Sequence, residues 1–135
     1  MLEVATFGPS LVEITPDVQA WLRDIDAYDG WLNLFIQHTS ASLLVQENAD
    51  PDVQTDLRAF FDRFAPPADD PSMAYITHRY EGPDDMPAHI KAAVLPVSLT
   101  VPVLASRLAL GTWQGIYVVE HRNRPHRRRV LLSLR

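Results

Sequence analysis

No cysteine occurs in the chain of 135 residues. Disulfides and thiolate chemistry are therefore excluded, and a bound metal would have to be held by histidine, aspartate, glutamate or backbone oxygen. No apolar run is long enough for a signal segment or a membrane span; the N-terminal stretch MLEVATFGPSLVEITPD is broken by acidic residues and prolines. There is no internal repeat and no low-complexity segment. The G-x-S-x-G elbow is missing, which argues against a serine nucleophile. A phosphate loop is missing too, since GTWQG carries its glycines at the wrong spacing. Together these absences lead us to expect one soluble, cytoplasmic domain over residues 1–135, with no membrane partner.

The composition, 47% hydrophobic and 21% charged, suits an ordinary globular core. A chain of this length buries roughly two-thirds of its unfolded surface and needs no staple. Net charge is −5, but six of the twelve Lys and Arg residues fall after position 120, in HRNRPHRRRVLLSLR. An acidic chain with one basic stretch fits a local anion site, or a strand edge guarded by arginine, better than a nucleic-acid surface.

Periodicity separates strands from helices. LEVATF, WLNLFIQH, residues 42–46, PVSLTVPVLA, GIYVVEHR and RRRVLLSL read as strands, and MAYITH as a short extended piece. The last two strands are placed to pair as a hairpin across RNRPHR. TPDVQAWLRDI reads as a helix with Thr15 as N-cap and Val18, Trp21, Leu22 and Ile25 on its apolar face. DPDVQTDLRAFFDRF is the clearest helix, with Asp50 as N-cap, Pro51 in the first turn, and Val53, Leu57, Phe60, Phe61 and Phe64 as the buried face. A further helix begins near Met86 or Pro87. Strands outnumber helices, and helices come as insertions between strand groups, which predicts α+β rather than alternating βαβ.

The polar residues needing explanation stand beside apolar runs. EGPDDMPAHIK, residues 81–91, sets three carboxylates and a histidine within nine residues. Asp85 and His89 share a helical face at i, i+4, and His78 lies close by in sequence. Two histidines and a carboxylate can hold a divalent metal; alternatively, Asp84 or Asp85 caps the helix and His89 is merely half-exposed. Asn48 and Glu47 lie in an irregular turn, able to orient a ligand or to satisfy backbone groups. His38, Thr39, Ser40 and Ser42 form a hydroxyl-rich turn. Glu120 and His121 close GIYVV, at a strand end where sites are commonly built.

Four segments, QHTSASL (37–43), QENADPDVQTDL (46–57), H-x-x-EGPDDMPAHIK (78–91) and GTWQGIYVVEHR (111–122), resemble the YjbQ-like family, also called the secondary thiamine-phosphate synthase family. The resemblance spans nearly the whole chain in the family's order. It implies an α+β fold of mixed or antiparallel sheets with two to three inserted helices, assembled as a compact homotrimer. It also implies a weak thiamine-phosphate synthase activity, joining hydroxymethylpyrimidine diphosphate to a thiazole phosphate and releasing diphosphate, with a metal- or phosphometabolite-binding protein without turnover, or a metal-dependent hydrolase, as alternatives.

That chemistry gives the matched residues work. A small phosphorylated or anionic substrate needs its leaving charge neutralised. The resemblance draws His38, Asp50, Glu120 and Arg122 into catalysis, and Thr39, Ser40, Asn48, Gly111, Gln114 and Gly115 into substrate binding. It draws His78, Asp85 and His89 into a metal site. The histidines favour zinc; diphosphate chemistry favours magnesium, which Asp84, Asp85 and Glu120 would suit. The segment RPHRRR lies outside the matched motifs.

Overall fold

The computed structural model describes residues 1–135. The elements run β1 (Leu2–Thr6), β2 (Ser10–Glu13), α1 (Thr15–Asp24), β3 (Gly30–Ile36), β4 (Ala41–Glu47), α2 (Pro51–Phe64), α3 (Asp85–Val94), β5 (Ser98–Leu104), β6 (Arg107–Leu108), β7 (Gln114–Glu120) and β8 (His126–Leu134). A five-stranded sheet has the order β1-β8-β3-β5-β6, and a three-stranded sheet the order β2-β7-β4. Every pairing is antiparallel. The α+β architecture expected from the sequence is the one found.

Alternation decides which faces meet. In β3, Leu32, Leu34 and Ile36 are buried while Trp31, Asn33 and Phe35 stay outside, the period of two that a half-buried strand demands. β7 differs: Ile116, Tyr117, Val118 and Val119 are all buried, so both faces of this central strand are covered. Inward residues of both sheets join Ile14, Val18 and Leu22 in one core of fifteen buried residues. Each fully buried Leu or Ile among them contributes about 1.5–3 kcal/mol relative to exposure. No helix is long and apolar enough to cross a membrane.

Several expectations are corrected. β7 and β8 do not form a hairpin; they belong to different sheets, and residues 121–125 carry the chain between them. Strand β2 was not expected, because four residues carry no readable alternation and pair only through β7. MAYITH holds no strand. Pro71–Met73 is a single 3-10 turn, and Met73 and Ile76 pack with Ala68 as a small satellite core. Arg79 ties that loop by donating to the carbonyls of Ala68, Met73 and Ile76.

Helix starts also shift. Thr15 is the first residue of α1 rather than its cap; its hydroxyl accepts from the Ile116 amide at 2.8 Å and donates to Glu13 at 2.8 Å. Ile25 lies past the helix end and is exposed. Asp50 caps α2 as expected, accepting from the Asp52 amide at 2.9 Å. Of the five apolar residues expected on the buried face of α2, only Phe61 is buried; Phe60 and Phe64 stack on each other in the open.

Candidate functional site

Helix α3 starts one residue earlier than expected, at Asp85. Gly82 makes the approach possible. Its φ of +97° belongs to the left-handed side that side chains rarely adopt, and the chain turns there so that the Asp85 amide reaches the Gly82 carbonyl. Asp85 is thereby only 2% exposed. Its Oδ2 faces His78 Nε2 at 2.7 Å and His89 Nε2 at 3.2 Å, while its Oδ1 accepts from Arg122 Nη1. One ligand atom from each of His78, Asp85 and His89 lies within 4.8 Å of the others.

The hydrogen bonds fix the chemistry of this cluster. His89 Nδ1 lies 2.9 Å from the Thr39 carbonyl. A carbonyl only accepts, so Nδ1 carries the proton and Nε2 presents its lone pair to the Asp85 carboxylate. Two acceptors facing each other at that distance require positive charge between them, as a proton or as a metal ion. A backbone carbonyl that orients a histidine through its far nitrogen is the usual support of a metal-ligating imidazole. The three residues therefore fit a divalent cation with nitrogen and oxygen donors, and His78, exposed at its edge, leaves positions open to a substrate.

Arg122 braces the carboxylates. Its Nε donates to Asp84 at 2.9 Å, Nη1 to Asp85, and Nη2 to the Glu81 carbonyl at 3.0 Å. Burial alone would raise the Asp84 carboxyl, but bonds from the Asn123 amide and Arg122 outweigh it and hold the group below the usual carboxylate range. Burial opposes the charge on Arg122 too, and Asp84 and Asp85 override it and push its pKa up. With every guanidinium nitrogen engaged, Arg122 acts as a positioning residue for Asp84 and Asp85.

A second polar cluster lies under β8. Arg128 falls at an inward position, on the same face as Val130, and is 3% exposed. Its Nε donates to Glu120 at 2.8 Å, and its Nη2 to Glu120 and to Ser40. Glu120 also accepts from Thr6 Oγ1 and from the amides of His121 and Arg122. Burial would raise this carboxyl; Arg128 and Thr6 win and hold it low. His38 Nε2 accepts from the Arg129 amide at 2.8 Å, and burial with the positive charge of Arg128 and Arg129 pushes its pKa down. Neutral His38 thus carries its proton on Nδ1, and the 3.3 Å approach of Arg128 Nη1 to that nitrogen sets two donors side by side. His38, Thr39 and Ser40 line an open groove of about 540 Å³, and an adjoining depression of about 270 Å³ runs from His38 and Thr39 to His89.

The structure does not bring all the expected residues together. Ala41 pairs with Glu120 at one end of the β4–β7 ladder, and Glu47 with Gln114 at the other. That ladder separates the ends by about 20 Å. His38, Thr39, Ser40, Glu120 and Arg122 share the end near His78, Asp85 and His89. Asn48, Asp50, Gly111, Gln114 and Gly115 gather at the other end. There Gln114 Oε1 accepts from the Gly111 amide at 2.7 Å, Asn48 donates to Glu13 at 3.2 Å, and a side chain at Gly115 would meet Glu13 at 2.7 Å. Sequence reasoning gave no role to Arg128, Lys91 or Thr6, all buried polar residues, and Ser42, expected in a hydroxyl-rich turn, is a fully buried residue of β4. Arg128 carried a readable signal, since it alternates with Val130.

Two antiparallel sheets over a shared core, with a His–Asp–His cluster at a helix start and a groove beside it, define the class: a small α+β protein with a metal-type donor set. The chain belongs to the UPF0047 YjbQ-like family, whose model matches residues 2–135. It is 46% identical to a UPF0047 protein of Synechocystis over 134 residues, covering 99% of this chain and 88% of that protein. It is 43% identical to UPF0047 protein YjbQ of Escherichia coli O157:H7, covering 90% of this chain and 85% of that one. A conserved hypothetical protein of Thermus thermophilus shares the fold with a TM-score of 0.86 at 34% identity, covering 99% and 98% of the two chains. A YjbQ/UPF0047 family protein of Clostridium acetobutylicum does so with a TM-score of 0.81 at 30% identity, covering 98% and 100%.

Proposed function

We propose that this protein is a cytoplasmic, divalent-metal-dependent enzyme acting on a small anionic substrate. The reaction we assign is transfer of the thiamine-phosphate synthase type, joining a hydroxymethylpyrimidine diphosphate to a thiazole phosphate. One observation carries the metal assignment: His89 Nε2 and Asp85 Oδ2 face each other at 3.2 Å while His89 Nδ1 is committed to the Thr39 carbonyl. When bound, the metal would supply Lewis acidity toward a phosphate or carbonyl oxygen. The chain's own residues do the rest. Arg122 fixes Asp84 and Asp85, the Thr39 carbonyl orients His89, and the groove beside His38 receives the substrate, with the hydroxyls of Thr39 and Ser40 as hydrogen-bonding groups. Asn48, Asp50, Gly111, Gln114 and Gly115 belong to this reading through a homotrimer, because contact between copies is what would set one end of the β4–β7 ladder beside the other end of a neighbour.

The decisive experiment is elemental analysis of the purified protein and of His89→Ala, followed by assay of diphosphate release with and without the thiazole phosphate. Near-stoichiometric metal lost in the variant, with release dependent on the acceptor, is the expected result. Release without acceptor would favour a metal-dependent hydrolase, a reading that the two-histidine, one-carboxylate donor set also supports. Binding without turnover would leave a metal- or phosphometabolite-binding protein.

A further inference from the structure

Helix α3 has a second functional face. Lys91 lies about 200° around the helix from His89, so it points away from the metal cluster. It is 7% exposed, yet its nearest carboxylate oxygen, Asp62 Oδ1, is 3.7 Å away, beyond hydrogen-bond reach. Asp62 itself is 69% exposed at its side chain. The stem of Lys91 is packed away while its ammonium reaches the crevice, where it has no hydrogen-bonded counter-charge. Two adjoining cavities of about 10 and 60 Å³ are lined by Lys91. A single water needs roughly 10–15 Å³, so the larger one accepts several water-sized groups.

The remaining walls favour an oxyanion. His121, 3% exposed, lines both cavities. Its Nε2 sits 3.0 Å from Ser42 Oγ. Ser42 is fully buried with His121 as its side-chain partner; in the tautomer where the hydroxyl donates to Nε2, the neutral ring offers Nδ1–H as a donor. Arg58 stands exposed at the mouth of the smaller cavity. Three carboxylates line the two cavities. Glu120 is committed to Arg128 and Thr6 and Asp84 to Arg122 and Asn123, which leaves Asp62 as a loose counter-ion to Lys91.

We propose that the crevice between α2 and α3, built on Lys91, His121 and Arg58, binds the oxyanion head of a small molecule, with Lys91 as the main charge and Asp62 as the counter-ion it displaces. The site is separate from the His78–Asp85–His89 cluster and does not depend on that cluster holding metal.

Isothermal titration with inorganic phosphate, and with acetate alongside, tests this on the full chain. Saturable binding is expected. It should weaken at least tenfold in Lys91→Met and tighten several-fold in Asp62→Asn, where competition is removed. Tighter phosphate than acetate identifies a phosphoryl head group; the reverse identifies a carboxylate. The proposal is overturned by absence of saturable binding of either ion, or by wild-type affinity in a Lys91→Met protein with an unaltered circular dichroism spectrum. Should Lys91→Met fail to fold, Asp62→Asn decides alone: unchanged or weaker phosphate binding there overturns it.

Discussion

His78 and His89 approach one oxygen of Asp85, at 2.7 and 3.2 Å, and their rings meet edge to face with centroids 5.8 Å apart. Such convergence on one carboxylate oxygen makes the three residues a unit, and removing any one should disable it. Asp85→Asn keeps the shape but halves the acceptor capacity and removes the charge. Zinc or manganese binding by titration should fall at least tenfold in Asp85→Asn, His78→Ala and His89→Ala alike. Retained affinity in His78→Ala would show that the histidine serves only as a hydrogen-bond partner of Asp85.

Arg122 makes a different prediction. Asp84 and Asp85 are buried to 17% and 2% side-chain exposure beside it, so Arg122→Ala leaves two carboxylates without their counter-charge. Loss of one partner of a buried pair costs about 3–5 kcal/mol. Metal affinity should fall roughly 10–100-fold, as it does when outer supports of ligands are removed. Lysine cannot reproduce the fork that reaches both aspartates and the Glu81 carbonyl, so Arg122→Lys should recover less than half of the lost unfolding free energy. Urea unfolding of the three proteins checks both statements, and full recovery by lysine would reduce Arg122 to a point charge.

Much of this site could be read from the sequence because its parts are local. Asp85 and His89 are one helical turn apart, and Asp50-Pro51 is a favoured helix start. What could not be read depends on pairing at a distance. Glu120 reads as a free strand-end carboxylate, yet Thr6 and Arg128 reach it from β1 and β8. The split of β7 and β8 between sheets was hidden by their short connection, although the unbroken apolar run of β7 against the alternation of β8 carries the distinction. Phe60 and Phe64 sit at good helical spacing, but α2 rests on the sheet through Phe61, which meets His121 at a ring distance of 6.4 Å, and through Gln54, bonded to Tyr117.

The Glu120–Arg128 pair joins the two sheets, since Glu120 closes β7 and Arg128 stands in β8. Both side chains are nearly inaccessible, at 0% and 4% exposure. Glu120→Gln keeps the volume and part of the hydrogen bonding but strands the Arg128 charge. A loss of about 3–5 kcal/mol is expected. Arg128→Met with Glu120→Gln should be less damaging than the sum of the two single changes, because the stranded charge is then gone. Additive losses in a double-mutant cycle would show that the residues act independently.

His121 sets the pH at which the fold weakens. Burial is the main cause that pushes its pKa down to about 4 from 6.5, with Lys91 adding to the effect. The unfolded chain takes up this proton near pH 6.5, whereas the folded chain resists it until about pH 4. Between those values the unfolded state holds more protons, so stability falls as pH falls, by roughly 3 kcal/mol at most. His38 is shifted in the same direction and adds to the loss. The lowered carboxyls of Glu120 and Asp84 contribute mainly further down, as they in turn protonate. Urea midpoints of the wild type should therefore drop between pH 7.5 and 4.5, and His121→Gln, which retains a polar partner for Ser42 without the titration, should lose distinctly less over the same interval. An equal drop in both proteins would move the origin of the acid sensitivity away from His121 and onto His38.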